Sequence, residues 1–277
     1  MRLNYAQVVF SGGGTRCFWH GGFMAVLEKE APVRPERISS VSGGALSAAV
    51  WIADRERELL DIMGAAFDRN ASNVDPASEN FTPHQEIYRD VVREALPPKA
   101  IEAVANGPAF QVSLAYPPPA LPLRVGAAMG VSLYELDQGV RSSPHLRLTE
   151  AAGMENRLID ARQAARDGRL VDLVCAAATI PPVFDIPEWD GERVVDGGTV
   201  DKAPMPEPNE GETLILLTKQ FRNLPEVEGR TYVQPSAPVE ADKIDFTERS
   251  KIEETWALGE RDAKAWLAGG RGQGSPG

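Results

Sequence analysis

Histidine and cysteine are scarce in this chain of 277 residues, which has three of the first and two of the second. Two cysteines, Cys17 and Cys175, imply no disulfide framework, although they leave room for one bridge, and a reducing compartment fits them best. Long apolar runs are missing as well. No segment approaches the roughly 18 uninterrupted apolar residues of a membrane-spanning helix. The opening MRLNYAQVVFSGGG has neither the apolar stretch nor the cleavage site of a secretory signal. The expectation is a cytoplasmic protein, soluble or attached to a membrane only at its periphery. Positive charge is in short supply, with 29 Lys and Arg against 40 Asp and Glu and a formal net charge of −11. That balance opposes nonspecific attraction to phosphate backbones and anionic lipid surfaces, so nucleic acid is not an expected partner.

What is present is a globular composition, 43% hydrophobic and 25% charged, with material for one sizeable core. Tyr5 to Phe10 reads as a short buried strand, followed by a glycine turn and a helix from about Cys17 to Lys29. Val33 to Val41 has room for a second strand and Gly44 to Ala53 for an alanine-rich helix. From Asp54 to about Ala105 the pattern is helical, broken by a loop from Ser72 to Pro83, with Leu59, Leu60, Ile62, Met63, Phe67, Ile87, Val91, Val92 and Leu96 as inward positions. Ala109 to Ala115 and Met129 to Leu136 read as strands, separated by a proline-rich loop or edge from Tyr116 to Pro122. Asp160 to Ala178 is helical in composition until Pro181 and Pro182 stop it. Arg193 to Val195 gives a short strand into Asp196, Thr213 to Thr218 a strand buried on both faces, and Lys251 to Leu267 a final amphipathic helix. The expected organisation is a single domain over 1–268 and a flexible tail over 269–277.

Three glycine-bearing turns carry the chemistry. Gly12-Gly13-Gly14-Thr15-Arg16 lies between a strand and a helix, where backbone N–H groups converge on an anion with the helix dipole behind them. A dinucleotide loop would want G-x-G-x-x-G and a Walker loop G-K-[ST], and neither is present. An oxyanion hole needs only donors near a developing alkoxide. Alone, such a run is more often an ordinary tight turn. Ser40-Val41-Ser42-Gly43-Gly44 matches the nucleophile elbow G-x-S-x-G except that Ser40 replaces the first glycine. Small residues are needed there because the strand reverses sharply into a helix. As a bare pentapeptide it stands level with the alternative of Ser42 as a helix N-cap. Asp196-Gly197-Gly198, taken alone, is first of all a hairpin signal.

The order of these turns, GGGTR at 12–16, SVSGGAL at 40–46 and VVDGG at 194–198, resembles the patatin-like phospholipase family. His20-Gly21-Gly22, AAATIPPVF before the aspartate turn and Ala203-Pro204 after it extend the likeness over most of the chain. Two positions depart from the pattern: Cys17, where a glycine commonly closes the first motif, and Ser40. The resemblance implies an α/β three-layer sandwich, with a central, mostly parallel sheet flanked by helices. It also implies catalysis by a dyad of Ser42 and Asp196, a substrate class of lipid acyl esters including phospholipids and lysophospholipids, and no cofactor or metal. The histidines agree independently, because a triad in α/β-hydrolase order would place its histidine after the acid and none follows Asp196. His20 is better read as packed.

In the expected reaction Ser42 attacks an ester carbonyl, Asp196 takes its proton, and N–H groups of the Gly12, Gly13 and Gly14 turn stabilise the oxyanion. Arg16 would contact the loop or a phosphate head group, or act only as a structural arginine. Phe18, Trp19, the 116–122 loop, Pro182, Val183 and Phe184 are candidate apolar contacts. Three other readings stay open: a soluble carboxylesterase or thioesterase for short acyl chains, a catalytically silent lipid-binding module, and a nucleotide-binding protein built on Gly12 to Gly14.

Overall fold

The computed structural model describes residues 3–76, 82–118, 143–145, 153–181 and 183–269. The expected strand at 129–136, most of the 116–122 loop and nearly all of the tail lie outside them. Its spine is a row of strands: β1 (Gln7–Phe10), β2 (Arg37–Val41), β3 (Ala109–Tyr116), β4 (Glu155–Asp160), β8 (Thr213–Leu216) and β9 (Arg230–Val233). They run in the order β4-β3-β2-β1-β8-β9, with β7 (Val195–Asp196) joined to β3 beside that row. The pairs β1–β2, β1–β8, β2–β3 and β8–β9 are parallel. Among the described strands of this sheet, only β4 and β7 run antiparallel, both on β3.

The central strands read as continuous apolar runs because both faces are covered. Val8, Phe10, Leu214 and Leu216 enter the larger core. Val9, Ile215 and Leu217 point the other way, where Ala203 and Phe221 cover them. Helices α1 (Phe18–Glu30), α2 (Gly43–Ile52), α3 (Glu56–Arg69), α4 (His84–Ala95) and α5 (Pro98–Asn106) follow the first two strands and feed the larger core. Of the inward positions expected in α3 and α4, Ile62 and Ile87 are only partly buried. The helical text from 54 to 105, broken by the expected loop between Arg69 and His84, divides once more and gives three helices. Pro97 and Pro98 separate the last two, Pro98 lying within the first turn of α5, where a missing N–H costs nothing.

Asp160 to Ala178 likewise divides into α6 (Ala161–Arg166), capped by the Asp160 carboxylate, and α7 (Leu170–Ala177). Gly168, at a φ of 72°, makes the break. The strand expected at 193–195 is divided too. Arg193 pairs with Glu188 in a small ribbon of β5 (Glu188–Trp189) and β6 (Glu192–Arg193), whereas Val195 and Asp196 join the main sheet.

Helix α8 (Arg249–Ala268) closes the structure against α1 along a glycine seam. A Cβ on Gly22 would stand 2.0 Å from the Trp256 carbonyl oxygen, and one on Gly259 2.3 Å from that of Trp19. The Trp19 indole N–H donates to Asp262 at 2.7 Å across the seam. No described helix is long and apolar enough to cross a membrane. Cys17 and Cys175 are free thiols, so the one bridge left open by the sequence is not formed.

Candidate active site

Strand register brings Ser42 and Asp196 together. The last pair of β2 on β3 is Val41 with Ser113. The next residue of β3, Leu114, pairs with Asp196 of β7. Thus β7 takes over the place beside β3 that β2 vacates where its chain turns away, and the residue after β2 meets the residue that ends β7. Only glycine can follow Asp196 here, since a Cβ on Gly197 would lie 2.2 Å from the Ser113 hydroxyl oxygen. The TIPPVF segment contributes a backbone clamp: Asp196 N–H donates to the Thr179 carbonyl at 3.0 Å.

Ser42 sits between β2 and α2 with a φ of 56° and a ψ of −140°. A non-glycine residue in this region carries strain of about 1–3 kcal/mol, which persists only where the surroundings impose it. The N-cap alternative is decided by the hydroxyl. It makes no capping hydrogen bond to α2 and instead lies near enough to the Asp196 carboxyl to hold that group's pKa down. Gly43 and Gly44 permit the tight approach, because Cβ atoms there would meet the Gly14 carbonyl oxygen at 2.7 Å and the Phe10 and Ser11 carbonyl oxygens at 2.5 Å. Ser40 is fully buried inside the sheet, its hydroxyl 3.5 Å from the Gln111 carbonyl oxygen. A serine therefore fits where the elbow pattern has glycine.

Asp196 is 5% exposed. Burial pushes its carboxyl above the usual carboxylate range, opposed in turn by the Lys202 charge, the Ser42 hydroxyl, the Gly198 N–H and Lys243. The Gly198 N–H bond measures 2.7 Å. A carboxylate with raised affinity for protons is a better base for a hydroxyl than one in water.

The glycine turn lies against Ser42: a Cβ on Gly12 would touch the Ser42 Cβ at 3.0 Å. Of the three glycines expected to supply N–H donors, Gly12 is committed elsewhere, to the Lys202 carbonyl at 2.9 Å. Gly13 and Gly14 N–H make no hydrogen bond among the described residues. Thr218, two residues past the end of β8, donates its hydroxyl to the Gly12 carbonyl at 2.6 Å and packs where a Gly13 Cβ would be. Residues 242–244 cross the turn as a strap. The Thr15 hydroxyl donates to the Asp242 carbonyl and its N–H to the Lys243 carbonyl at 3.4 Å. A Cβ on Gly14, whose φ is 57°, would collide with that second oxygen.

None of the three histidines bonds to Ser42 or Asp196. His20 is wholly buried edge-on to Phe10, and burial lowers its pKa to about 3, so it is a neutral packed ring. His84 Nε2 donates to the Ile244 carbonyl at 2.6 Å. His145 is held between Asp201 at 3.0 Å and the Tyr232 hydroxyl at 2.9 Å. Cys17 is buried with its Sγ 3.7 Å from the Ser11 carbonyl oxygen, and burial pushes its thiol well up, which leaves it a poor nucleophile. No group of His, Cys, Asp and Glu that could hold a metal ion occurs among the described residues.

A cleft of about 590 Å³, counting the part open to solvent, leads to Ser42 between Phe18, Leu46, Met63, Ile180, Phe184 and Phe246. Of the apolar contacts expected from sequence, Phe18 and Phe184 are in its wall. Trp19 is core instead, and Pro182 lies outside the described residues. Lys202, Thr218, Lys243 and Tyr88 were not legible as site residues. Lys202 alone lies near a motif, four residues after Gly198.

A family model for patatin-like phospholipases matches residues 8–208. The chain belongs to the patatin-like phospholipase family. Its α/β fold, a mostly parallel central sheet flanked by helices, is that family's, and membership makes it a lipid hydrolase in general class. No curated protein matches it. Among solved structures it is similar to VipD from Legionella pneumophila, with 11% identity and a TM-score of 0.44 over 94% of this chain and 67% of that one. It is also similar to the type III effector protein ExoU, with 13% identity and a TM-score of 0.37 over 97% of this chain and 53% of that one.

Proposed function

We propose that this patatin-like chain hydrolyses carboxylic esters of lipids, phospholipids and lysophospholipids among them, with Ser42 as nucleophile and Asp196 as its base. The observation that carries the reading is the Ser42 hydroxyl itself. It is held in a strained backbone, makes no cap to its helix, and is set by strand register beside a buried carboxyl whose pKa it lowers. In the first half-reaction Ser42 Oγ attacks the carbonyl carbon while its proton passes to Asp196. The resulting oxyanion faces the Gly13 and Gly14 N–H groups. Collapse expels the alcohol, which leaves with the proton from Asp196, and an acyl-serine remains. Water then gives its proton to Asp196, attacks the acyl-serine, and releases the fatty acid as Ser42 regains the proton.

The cleft would take the acyl chain, and its apolar wall favours chains long enough to fill it. Arg16 is partly buried, and its side chain makes no hydrogen bond or ion pair among the described residues, which suits contact with a phosphate head group. Residues 1–268 would act as one acyl hydrolase domain, because β8 lies beside β1 and α8 against α1. Contact with lipid would be peripheral, made from the cytoplasm, and no cofactor enters any step.

The test is hydrolysis of phospholipid and lysophospholipid vesicles by wild type beside Ser42→Ala, with products identified by mass spectrometry. A loss of about a thousandfold or more is expected in the variant. Equal activity in the two proteins would overturn the assignment. A fluorophosphonate probe should label wild type at Ser42, and a wild type that neither labels nor hydrolyses is a silent lipid-binding module.

A further inference from the structure

The cleft at Ser42 is walled almost wholly by apolar groups, yet one polar side chain in that wall has nothing to bond. Tyr88 of α4 is 7% exposed and lines the cleft beside Leu59, Met63 and Phe184. Its hydroxyl has no hydrogen-bond partner among the described residues. Cys175, Cys17 and Asp196 all lie near enough to bear on the phenol, and the residue also borders a second hollow lined by Cys175, Thr179 and Trp189. Burial drives its pKa up, so the group stays a neutral donor. The ring is fixed by Phe184, edge-on at 6.3 Å. One turn earlier on the same helix, His84 ties α4 to the strap through the Ile244 carbonyl. Were packing its whole role, phenylalanine would fill the space without burying a donor. An unmade bond of this kind is a cost that ordinary core positions avoid.

We propose that Tyr88 is a specificity-determining residue whose hydroxyl donates a hydrogen bond to a second oxygen of the substrate, one carried near the scissile ester. The inference rests on the hydrolase reading above. A plain alkyl ester fills the cleft but leaves the phenol unpaired, whereas an oxygen-bearing ester pairs it, and buried polar groups discriminate most sharply on this basis. The acceptor has two sources with one chemistry. It is a free hydroxyl of the glycerol skeleton on the alcohol side, or a hydroxyl close to the carbonyl on the acyl side.

Wild type and Tyr88→Phe, both as the full chain, are compared on two matched pairs. Monodecanoylglycerol beside ethyl decanoate reads the alcohol side. The p-nitrophenyl ester of hydroxydecanoic acid beside p-nitrophenyl decanoate reads the acyl side. Wild type is expected to favour the oxygen-bearing member of one pair by about tenfold or more in kcat/KM, and that pair names the source. Tyr88→Phe should bring the two members of that pair close to parity, chiefly by lowering kcat/KM for the oxygen-bearing member. Its Tm should match or exceed that of wild type, because no existing bond is lost. Failure of wild type to discriminate in either pair overturns the role, as do ratios unchanged in the variant. Fluorophosphonate labelling separates the two levels. Labelled, active wild type with unchanged ratios removes Tyr88 and leaves the dyad standing, whereas wild type that neither labels nor hydrolyses removes both.

Discussion

At the Ser42 corner a parallel strand reverses into a helix through a φ of 56°, and the hydroxyl forgoes the cap it could have made. At the Asp196 corner, one step along the same neighbouring strand, the backbone is relaxed at a φ of −50° and the carboxylate accepts from Gly198 in an ordinary cap. The serine is therefore held by its backbone and the aspartate by its hydrogen bonds. Strain cannot aim Asp196, nor do bonds to its own helix aim Ser42. The two corners should fail in different ways when altered.

The largest effect expected is at the relaxed corner. Asp196→Asn keeps an oxygen for the Gly198 N–H but cannot take a proton. Ester hydrolysis should fall by about a thousandfold or more, while the Tm stays at or above that of wild type because a buried charge is gone. Retained activity would mean that the carboxylate only orients Ser42.

Next comes the pH profile. Only ionised Asp196 can act as base, and burial raises its pKa. Activity should therefore be lost as pH falls through a value above the usual carboxylate range. Lys202 lowers that pKa through its charge, so Lys202→Met should move the acid limb of kcat/KM to higher pH. A limb that stays put or moves down would separate Lys202 from the base.

The smallest effect reads the strained corner. Ser42→Gly and Ser42→Ala both lose the hydroxyl, but only glycine relaxes at positive φ. The glycine variant should be more stable by about 1 kcal/mol in chemical denaturation, the reverse of their order in ordinary helices and strands. Equal stabilities would show that the corner is not strained.

Ser42 and Asp196 could be singled out as candidates because each stands beside glycines that the backbone requires, at Gly43, Gly44 and Gly197, and such requirements mark a sequence locally. What holds them was not. The Gly12 N–H goes to a backbone carbonyl at Lys202, and backbone partners leave no letter in the sequence. The strap over Thr15 likewise uses the carbonyls of Asp242 and Lys243. Strand β4 escaped because it is an edge strand, ENRLID, with partly exposed residues on both faces and no apolar alternation. Strand β9, RTYV, is shorter still and buried only at Val233. The missed break at Gly168 and the divided strand at Val194 share a cause: composition reads a mean over several residues, whereas one positive φ or one change of partner ends an element.

The placement of β8 next to β1 also sets a timetable. Gln7 to Phe10 are synthesised some two hundred residues before their partners Thr213 to Leu216. The carbonyls that fasten Thr15 come later still. Pairing between such distant segments is slow to form. The glycine turn is thus made long before it is fastened, so a chain that has not yet reached β8 and the strap carries Ser42 without those surroundings.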